Sequence, residues 1–190
     1  MWDQLLQWDQ EILIFLNNLG STSFDSFWRT ITKYPTWIPL FILFLILIFK
    51  SRPWKEALVL LLVLGILVFF METCTNLTKV VVERLRPNND AYLKPWIRVL
   101  ANPSSYGFFS AHAAISFSVT TFVYAILRTR FRWSYVFYLW PILFLYSRIY
   151  LGVHYPSDVL VGAFFGILSA LLFHKLYVLL ISPYLPLDRP

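Results

Sequence analysis

Three basic residues, Lys79, Arg86 and Arg148, lie beside stretches of the sequence that are otherwise strongly apolar. An ionisable group near hydrocarbon costs about 2.5 to 3.5 kcal/mol on insertion scales, so several of them in one region indicate a function. Lysine and arginine supply positive charge and forked hydrogen-bond donors, and a helix that begins at Ser110 and Ala111 supplies free backbone N–H groups. Together these groups predict a binding site for a tetrahedral dianion such as phosphate, without a metal.

Two histidines and one aspartate add groups that can do nucleophilic and acid–base chemistry. Asp158 follows His154 by four residues, a spacing that lets the carboxylate hold one ring nitrogen while the other attacks phosphorus. His112, in the first turn of another predicted helix, is then free to protonate the leaving oxygen. The sequence therefore predicts a nucleophile, an orienting carboxylate and a general acid beside the anion site.

Each of these residues, taken alone, also has an ordinary structural explanation. Lys79 can snorkel to a membrane interface, and Glu72 can pair with a neighbouring base. Glu72, Lys79 and Arg86 are seven residues apart and share one face if the helix continues that far. His154 and Asp158 can ligate a metal, but no second histidine-rich element accompanies them, and three nearby cations would repel a metal ion. We therefore favour a site with no metal and no cofactor.

The elements that must position these groups are predicted to be membrane helices. Of the 190 residues, 58% are hydrophobic and only 14% are charged, which is too apolar for an ordinary water-soluble domain. The net charge of +6 does not indicate a nucleic-acid-binding protein, because the basic residues flank apolar stretches and form no surface stripe. The single cysteine, Cys74, cannot form an internal disulfide and is expected to pack inside a helix.

A helix needs about twenty mostly apolar residues to cross a bilayer, and five stretches qualify. Ahead of them, apolar residues recur at helical spacing among acidic ones, which predicts an amphipathic helix lying in the membrane interface. The predicted fold class is an all-α integral membrane protein with five transmembrane helices and this N-terminal interfacial helix. We expect one domain over 1–190, with an amphipathic segment at 1–30 and a catalytic core at 54–181. The predicted spans are 32–49, 54–78, 111–127, 133–151 and 157–181.

The short loops predict the orientation of these helices. The loops after the first and third spans are basic and therefore face the cytoplasm. They carry Lys50, Arg52, Lys55, Arg128, Arg130 and Arg132. Five spans then place the N-terminus outside and the C-terminus in the cytoplasm, with the anion site at the periplasmic face of a bacterial inner membrane. The loop after Lys79 is basic too, an exception that anion binding by its cations would explain.

Three motifs, in order along the chain, carry the candidate residues. The first motif consists of Lys79, Arg86 and Pro87. The third motif consists of Ser147, Arg148, His154 and Asp158. Together with a middle motif, these two motifs resemble the signature of the type 2 phosphatidic acid phosphatase family. The first and third motifs match that signature at full spacing. The middle motif reads Phe109-Ser110-Ala111-His112 where the family usually has Pro-Ser-Gly-His. The missing glycine matters only if the backbone there needs a positive φ.

The resemblance implies a role for each matching residue. His154 would be the nucleophile that becomes phosphohistidine, Asp158 would orient it, and His112 would be the general acid. The phosphate would be held, without a metal, by Lys79, Arg86, Ser110 and Arg148. Members of the family commonly have six spans, and in this chain the amphipathic helix stands where the first would be.

The residues and the resemblance predict an integral membrane phosphatase that acts on a lipid head group at the outer face of the membrane. Its partners would be a lipid phosphate or diphosphate substrate and membrane lipids, with no nucleic acid and no required protein partner. Undecaprenyl diphosphate is the first expectation for the substrate. Lipid A, phosphatidylglycerol phosphate and phosphatidic acid are the alternatives.

The long loop between the second and third spans supplies a candidate substrate entrance, formed by Lys94, Trp96 and Arg98. Its two cations would bind a second phosphate, or only anionic head groups. A transporter is the rival from another class, but the charges collect at one membrane face and not near the midplane. Vanadate haloperoxidases would share the anion pocket but are soluble. An inactive scaffold is the remaining alternative, which an assay of phosphate release would separate.

Overall fold

The computed structural model describes residues 2–184, and within them the chain is helical and has no strand. Seven α-helices are joined by short turns and by one long loop between the fourth and the fifth. They are α1 (Trp2–Asn18), α2 (Asp25–Ile31), α3 (Ile38–Ser51), α4 (Trp54–Val82), α5 (Ala111–Leu127), α6 (Leu139–Tyr150) and α7 (Pro156–Leu176). The predicted all-α fold is therefore confirmed.

Three helical segments of the described chain are long and apolar enough to cross a bilayer by length and composition. They are Tyr34–Ser51, Trp54–Asn89 and Pro156–Tyr184. The third predicted span forms as α5 with the predicted bounds, and at 17 residues it is shorter than these three. The fourth begins with a 3₁₀ helix, Arg132–Tyr138, that leads into the 12-residue α6. Length and composition thus support three of the five predicted spans directly.

The N-terminal segment folds onto the bundle through α1 and α2. The predicted amphipathic helix forms as α1, with Leu13 fully buried and Phe15 exposed on the opposite side. Its end is fixed by the buried amide of Asn17, which donates to the carbonyl oxygens of Ile149 and Tyr150, both at 3.0 Å. The seven-residue α2, which no apolar repeat predicts, also packs against α6. These contacts join α1 to the end of α6 that carries Arg148.

Helices α5 and α7 form the most extensive contact of the bundle because α7 has glycine where they meet. A Cβ atom at Gly162 would lie 2.7 Å from the carbonyl oxygen of Ser110, and one at Gly166 would collide with the carbonyl oxygen of Ala114. Small residues let helix backbones approach closely inside a membrane bundle. The first turn of α5 therefore lies beside the second turn of α7. Each of these helices carries a predicted catalytic residue in its first turn, His112 in α5 and Asp158 in α7.

The end of α4 differs from the predicted stripe of residues seven apart. The helix stops at Val82, because Glu83 at its C-cap adopts the left-handed conformation with φ 50°. Arg86 is therefore not on the helix that carries Glu72 and Lys79, and the expectation of one continuous helical face is wrong. The chain leaves the helix and brings Arg86 to the same site through the loop.

The two basic loops lie at the other end of the bundle. At that end the Tyr177 hydroxyl donates to Glu56 at 2.7 Å, and Arg52 pairs with the same carboxylate oxygen at 3.1 Å. Helix α4 begins there and α7 ends there, whereas α4 ends and α7 begins beside the candidate residues. The basic loops and the candidate site are therefore separated by the length of the bundle.

Candidate active site

One pocket brings most of the predicted residues together. It has a volume of about 290 Å³ and opens between the ends of α4 and α6 and the first turn of α5. Its walls are formed by Tyr34, Glu72, Lys79, Arg86, Pro103, Ala111, His112, Arg148 and His154. Asp158 and Ser110 are fully buried and lie behind this wall. The three motifs, separated along the chain, thus converge on a single site.

The hydrogen bonds of His154 determine which ring nitrogen carries the proton. Its Nε2 lies 2.7 Å from Nη1 of Arg86, and its Nδ1 lies 3.2 Å from Oδ2 of Asp158. A guanidinium has only donors, so Nε2 accepts from Arg86 and Nδ1 donates to the carboxylate. Burial, followed by the charge of Arg86, holds the pKa of His154 well below its usual value. Because Nε2 accepts a hydrogen bond, the ring is neutral in this arrangement, and its Nε2 lone pair is directed at Arg86 on the wall of the pocket.

Asp158 is held on both oxygens and is 0% exposed. Its Oδ2 accepts from the backbone N–H of Tyr155 at 3.1 Å as well as from His154. Its Oδ1 accepts from Nη1 of Arg84 at 2.6 Å. Because Asp158 is the third residue of α7, its carboxylate also caps that helix. The Asp158 carboxylate is therefore fixed beside Nδ1 of His154.

Arg86 reaches the pocket from the loop and is anchored by backbone oxygens. Its Nε donates to the carbonyl of Ser105 at 2.7 Å, and Nη1 donates to the carbonyl of Val153 at 3.1 Å. Nη2 also donates to the Ser105 hydroxyl, at 3.2 Å. These bonds fix the guanidinium beside Nε2 of His154, the position in which it can bind an oxygen of a phosphate under attack.

Arg148 is positioned by a residue that the motifs do not include. Its Nη1 donates to the Thr32 hydroxyl at 2.8 Å, and the hydroxyl of Ser147 lies 3.0 Å from the same oxygen. Both arginine and threonine are buried, at 8% and 9% exposure. The sequence shows Thr32 only as a polar residue at the predicted start of the first span. Nothing in its spacing relates it to Arg148.

His112 lies in the first turn of α5 and faces the pocket between two aromatic rings. Its ring centroid is 5.3 Å from that of Tyr34 and 5.1 Å from that of Phe144. Ser110 is the N-cap residue of α5, and its hydroxyl accepts from the N–H of Ala113 at 3.5 Å. Glu83 is the one non-glycine residue with positive φ among those described, so Ala111 has an ordinary backbone conformation. The alanine in the middle motif therefore causes no strain here.

Lys79 and Glu72 share the α4 wall of the pocket and are linked through Asn76. The Asn76 amide donates to Oε1 of Glu72 at 3.0 Å, and Nζ of Lys79 lies 3.4 Å from Oδ1 of Asn76. A carboxylate thus stands on the wall of a pocket whose other charged side chains are cationic. The two charges are seven residues apart, about 10 Å along the helix axis.

The three residues predicted at the substrate entrance do not line the pocket. Arg98 is bound to α2, where its Nη2 donates to both carboxylate oxygens of Asp25 at 2.7 and 2.8 Å. Lys94 and Trp96 belong to a 3₁₀ turn of the long loop, and Trp96 contributes to a separate surface depression with Gln10. In this conformation Arg98 has a structural partner and is not available to a second phosphate.

Two charged residues behind Asp158, Asp9 and Arg84, are not among the residues that the motifs predict. Arg84 donates through Nη2 to Oδ2 of Asp9 on α1, at 2.6 Å. Asp9 is 8% exposed and lies on the same face of α1 as the buried Leu13, four residues on. A charge on the buried face of an amphipathic helix is the signal that identifies such a residue. Arg84 carries no comparable signal, because it sits two residues from an arginine that the motif already uses.

The arrangement can bind and attack a phosphoryl group. Lys79, Arg86 and Arg148 supply three positive charges, and the neutral Nε2 of His154 supplies an electron pair at the same place. His112 stands on another wall of the pocket and can exchange a proton with an oxygen of the bound group.

Several known proteins resemble this chain in sequence or in fold. The model of the PAP2 superfamily matches residues 56–181. A lipid A 4'-phosphatase of Bacteroides thetaiotaomicron is 32% identical over 171 residues, which cover 87% of this chain and 75% of the relative. An undecaprenyl-diphosphatase of Sulfolobus acidocaldarius is 29% identical over 169 residues, or 86% of this chain and 76% of the relative. The crystal structure of a transmembrane PAP2 type phosphatidylglycerolphosphate phosphatase from Bacillus subtilis superposes with a TM-score of 0.72 at 22% identity, covering 93% of this chain and 88% of that one.

Proposed function

Because the chain belongs to the PAP2 superfamily and is a membrane lipid phosphatase, we propose that it works through a phosphohistidine at His154. The observation that carries this proposal is the pair of hydrogen bonds on the His154 ring. Asp158 holds Nδ1–H, and Arg86 marks the direction of the Nε2 lone pair. The attacking nitrogen therefore faces the cationic pocket where a phosphate would bind.

In the first step, Nη1 of Arg86 transfers its hydrogen bond from Nε2 to an oxygen of the bound phosphate, the freed Nε2 lone pair attacks phosphorus, and the bond from phosphorus to the leaving oxygen breaks. Arg86, Lys79 and Arg148 stabilise the charge on the remaining phosphoryl oxygens. His112 protonates the leaving oxygen, so that the product departs as an alcohol or, from a diphosphate, as a monophosphate. Asp158 stabilises the positive charge that the ring of His154 acquires when Nε2 becomes bonded to phosphorus.

In the second step, water attacks the phosphoryl group of the intermediate. His112, which gave up its proton in the first step, takes a proton from the attacking water. The bond between phosphorus and Nε2 breaks, and its electron pair returns to the ring of His154. Inorganic phosphate leaves, and both histidines are restored to their starting state.

An apolar cavity beside the pocket supports a lipid as the substrate. The cavity has a volume of about 320 Å³ and shares Tyr34 with the active-site pocket. Its walls come from α3, α4, α5 and α6, and they include Phe41, Phe44, Ile115 and Trp140. A hydrocarbon chain could lie there while its phosphate reaches His154, so that the chain need not enter water.

Glu72 bears on the choice between the two substrates that the relatives' names suggest. Along α4, Leu61, Leu64 and Val68 line the apolar cavity, and Glu72 and then Lys79 follow in the direction of the active site. Glu72 therefore lies where a lipid would have the group that connects its hydrocarbon chain to the reacting phosphate. A carboxylate there accepts hydrogen bonds from hydroxyl or amide groups and repels a second phosphate. This favours lipid A over undecaprenyl diphosphate, our first expectation from the sequence.

We also propose five spans, with the active site at the periplasmic face, the N-terminus outside and the C-terminus in the cytoplasm. The support is the separation of the basic loops from the active site by the length of the bundle, together with the preference of basic loops for the cytoplasm. Residues 54–181 would then form the catalytic core. Helices α5 and α6, although short, would complete the set of five.

The decisive experiment is phosphate release by the purified protein from lipid A, undecaprenyl diphosphate, phosphatidylglycerol phosphate and phosphatidic acid. The wild type should form an acid-labile phosphoenzyme that His154→Ala lacks. His174→Ala, a matched control at the cytoplasmic end of α7, should keep both the phosphoenzyme and the turnover. Chelators should leave the rate unchanged, whereas vanadate should compete with substrate. A phosphoenzyme that persists in His154→Ala, or a rate that needs an added divalent ion, would contradict the proposal.

A further inference from the structure

The two oxygens of Asp158 have different partners. The inference drawn from this difference rests on the proposed function. Oδ2 faces Nδ1 of His154 at 3.2 Å, and Oδ1 is bound to Nη1 of Arg84 at 2.6 Å. The carboxylate is buried, so its charge is shared between these two partners with little screening by water. A cation bound only to Asp158 would therefore weaken the hold of the carboxylate on His154.

The second carboxylate bound to Arg84 comes from the N-terminal helix. Nη2 of Arg84 donates to Oδ2 of Asp9 at 2.6 Å, and the arginine also stacks over the ring of Tyr155 at 4.0 Å. Asp9 accepts in addition from Ser157, from the backbone N–H at 2.8 Å and from the hydroxyl at 2.5 Å. Asp9 is thus bound at both oxygens to groups that lie next to Asp158.

The charges of this cluster show what Asp9 adds. Asp158 and Arg84 alone would form a neutral pair behind the nucleophile. With Asp9 the three groups carry one net negative charge. Asp9 offsets part of the positive charge of Arg84, so more of the charge of Asp158 acts on the ring of His154 when that ring becomes cationic on bonding to phosphorus.

We propose that Asp9 is a positioning residue for catalysis, acting through Arg84 on Asp158 and so on the nucleophile. Helix α1 then supplies part of the active-site support, in addition to its predicted place in the membrane interface. Asp9 touches neither the pocket nor the reacting atoms, and its effect depends on Arg84 as the intermediate.

The competing explanation is that Asp9 only caps α7. The N–H of Ser157 is one of the unpaired donors in the first turn of that helix, and a carboxylate bound to it stabilises the helix end. A cap acts on stability whether or not Arg84 is present. A positioning residue acts on the rate of phosphoryl transfer and needs Arg84 to do so.

A double-mutant cycle in the whole chain distinguishes a helix cap from a positioning residue. Asp9→Asn keeps an oxygen for the Ser157 N–H but removes the charge, and Glu11→Gln, on the exposed side of the same helix, is the matched control. Rapid-quench measurement with a lipid phosphate that the wild type hydrolyses gives the rate of phosphoenzyme formation. We expect Asp9→Asn to lower this rate about tenfold, with KM within about twofold of the wild type. In an Arg84→Gln background the same change should alter the rate less than about twofold.

An equal loss in both backgrounds would overturn the inference in favour of the cap, and so would an Asp9→Asn rate equal to that of Glu11→Gln. Asp9→Glu provides a second variant that keeps the charge, and it should recover at least about half of the lost rate. A protein as slow with Asp9→Glu as with Asp9→Asn would also overturn it. A wild type that forms no phosphoenzyme would contradict the proposed function as well, whereas an active wild type with an unaffected Asp9→Asn variant would overturn this inference alone.

Discussion

Thr32 shows how a residue outside the three motifs controls one inside them. Its hydroxyl is the hydrogen-bond partner of Nη1 of Arg148, at 2.8 Å, in a place where both side chains are buried. A buried donor left without a partner costs about 1 to 3 kcal/mol, so Arg148 would move or bind solvent if the hydroxyl were removed. At this scale, the position of a charged side chain in the pocket depends on the neighbour that binds it.

Replacing Thr32 with valine should therefore weaken phosphate binding with little change of shape. We expect kcat/KM to fall about tenfold, equivalent to about 1.4 kcal/mol, and vanadate to inhibit less strongly by a similar factor. Thr36→Val, whose hydroxyl bonds to a backbone oxygen on the exposed surface, is the matched control. Inhibition by vanadate that is unchanged in Thr32→Val would show that Arg148 does not need this partner.

His112→Ala tests the proposed general acid. A poor leaving group needs its proton in the transition state, whereas a good one departs as an anion. The variant should therefore lose more activity on a lipid phosphate, which releases an alcohol, than on p-nitrophenyl phosphate. We expect the two losses to differ by at least about tenfold in kcat/KM. Equal losses on both substrates would indicate that His112 binds the phosphate and does not protonate the leaving oxygen.

At the scale of elements, the close packing of α5 on α7 sets the distance between the two histidine-bearing segments. The backbone N–H of Ser110 donates to the carbonyl of Asp158 at 3.0 Å, so the start of α5 is bonded directly to the start of α7. Gly162 makes this contact possible because a Cβ atom there would lie 2.7 Å from the Ser110 carbonyl oxygen. The packing of α5 on α7 thus also sets the relative positions of the segments that carry His112 and His154.

Gly162→Ala should for this reason reduce both stability and activity. Overpacking a tight contact costs about 1 to 3 kcal/mol, which we expect to lower the midpoint of thermal unfolding by several degrees. Gly65→Ala on α4 is the control, since a Cβ atom there meets nothing within 4 Å. The measurement is thermal unfolding in detergent, alongside phosphate release. A Gly162→Ala protein as stable and as active as Gly65→Ala would show that α5 and α7 can separate without harm to the active site.

At the scale of the whole molecule, positive charge collects at both ends of the bundle. One end carries the cationic pocket and the other carries the basic loops, with the apolar helix surfaces between them. An anion bound in the pocket would neutralise the first group of cations but not the second. The positive-inside rule then predicts that the second group faces the cytoplasm.

Cysteine labelling in intact cells tests this orientation. In a Cys74→Ser background, Ser104→Cys lies in an exposed part of the loop near the pocket and should react with a membrane-impermeant thiol reagent. Thr129→Cys, exposed at the opposite end of the bundle, should react only after the cells are opened. The reversed pattern would place the active site in the cytoplasm.

The sequence by itself determined the helical fold, the bounds of α5 and the pairing of His154 with Asp158. Each of these depends on local spacing: His154 and Asp158 are four residues apart at the start of one helix, and their contact needs no other part of the chain. Positive charge beside apolar stretches indicated Lys79, Arg86 and Arg148, which the structure brings to one pocket. A left-handed residue at the end of α4 was enough to break the predicted helical stripe, because backbone conformation at a single turn is weakly encoded by periodicity.

Only the tertiary structure decided which partners hold these groups. Thr32 and Arg148 are 116 residues apart, and Asp9 and Arg84 are 75 apart. Arg98, which the sequence offered as an entrance residue, is bound to Asp25 because α2 folds against the long loop. Hydrophobic periodicity specifies that a helix has a buried face but not which helix will cover it. The partner of a buried charge is therefore chosen by packing, since an unpaired charge in that interior would be too costly to keep.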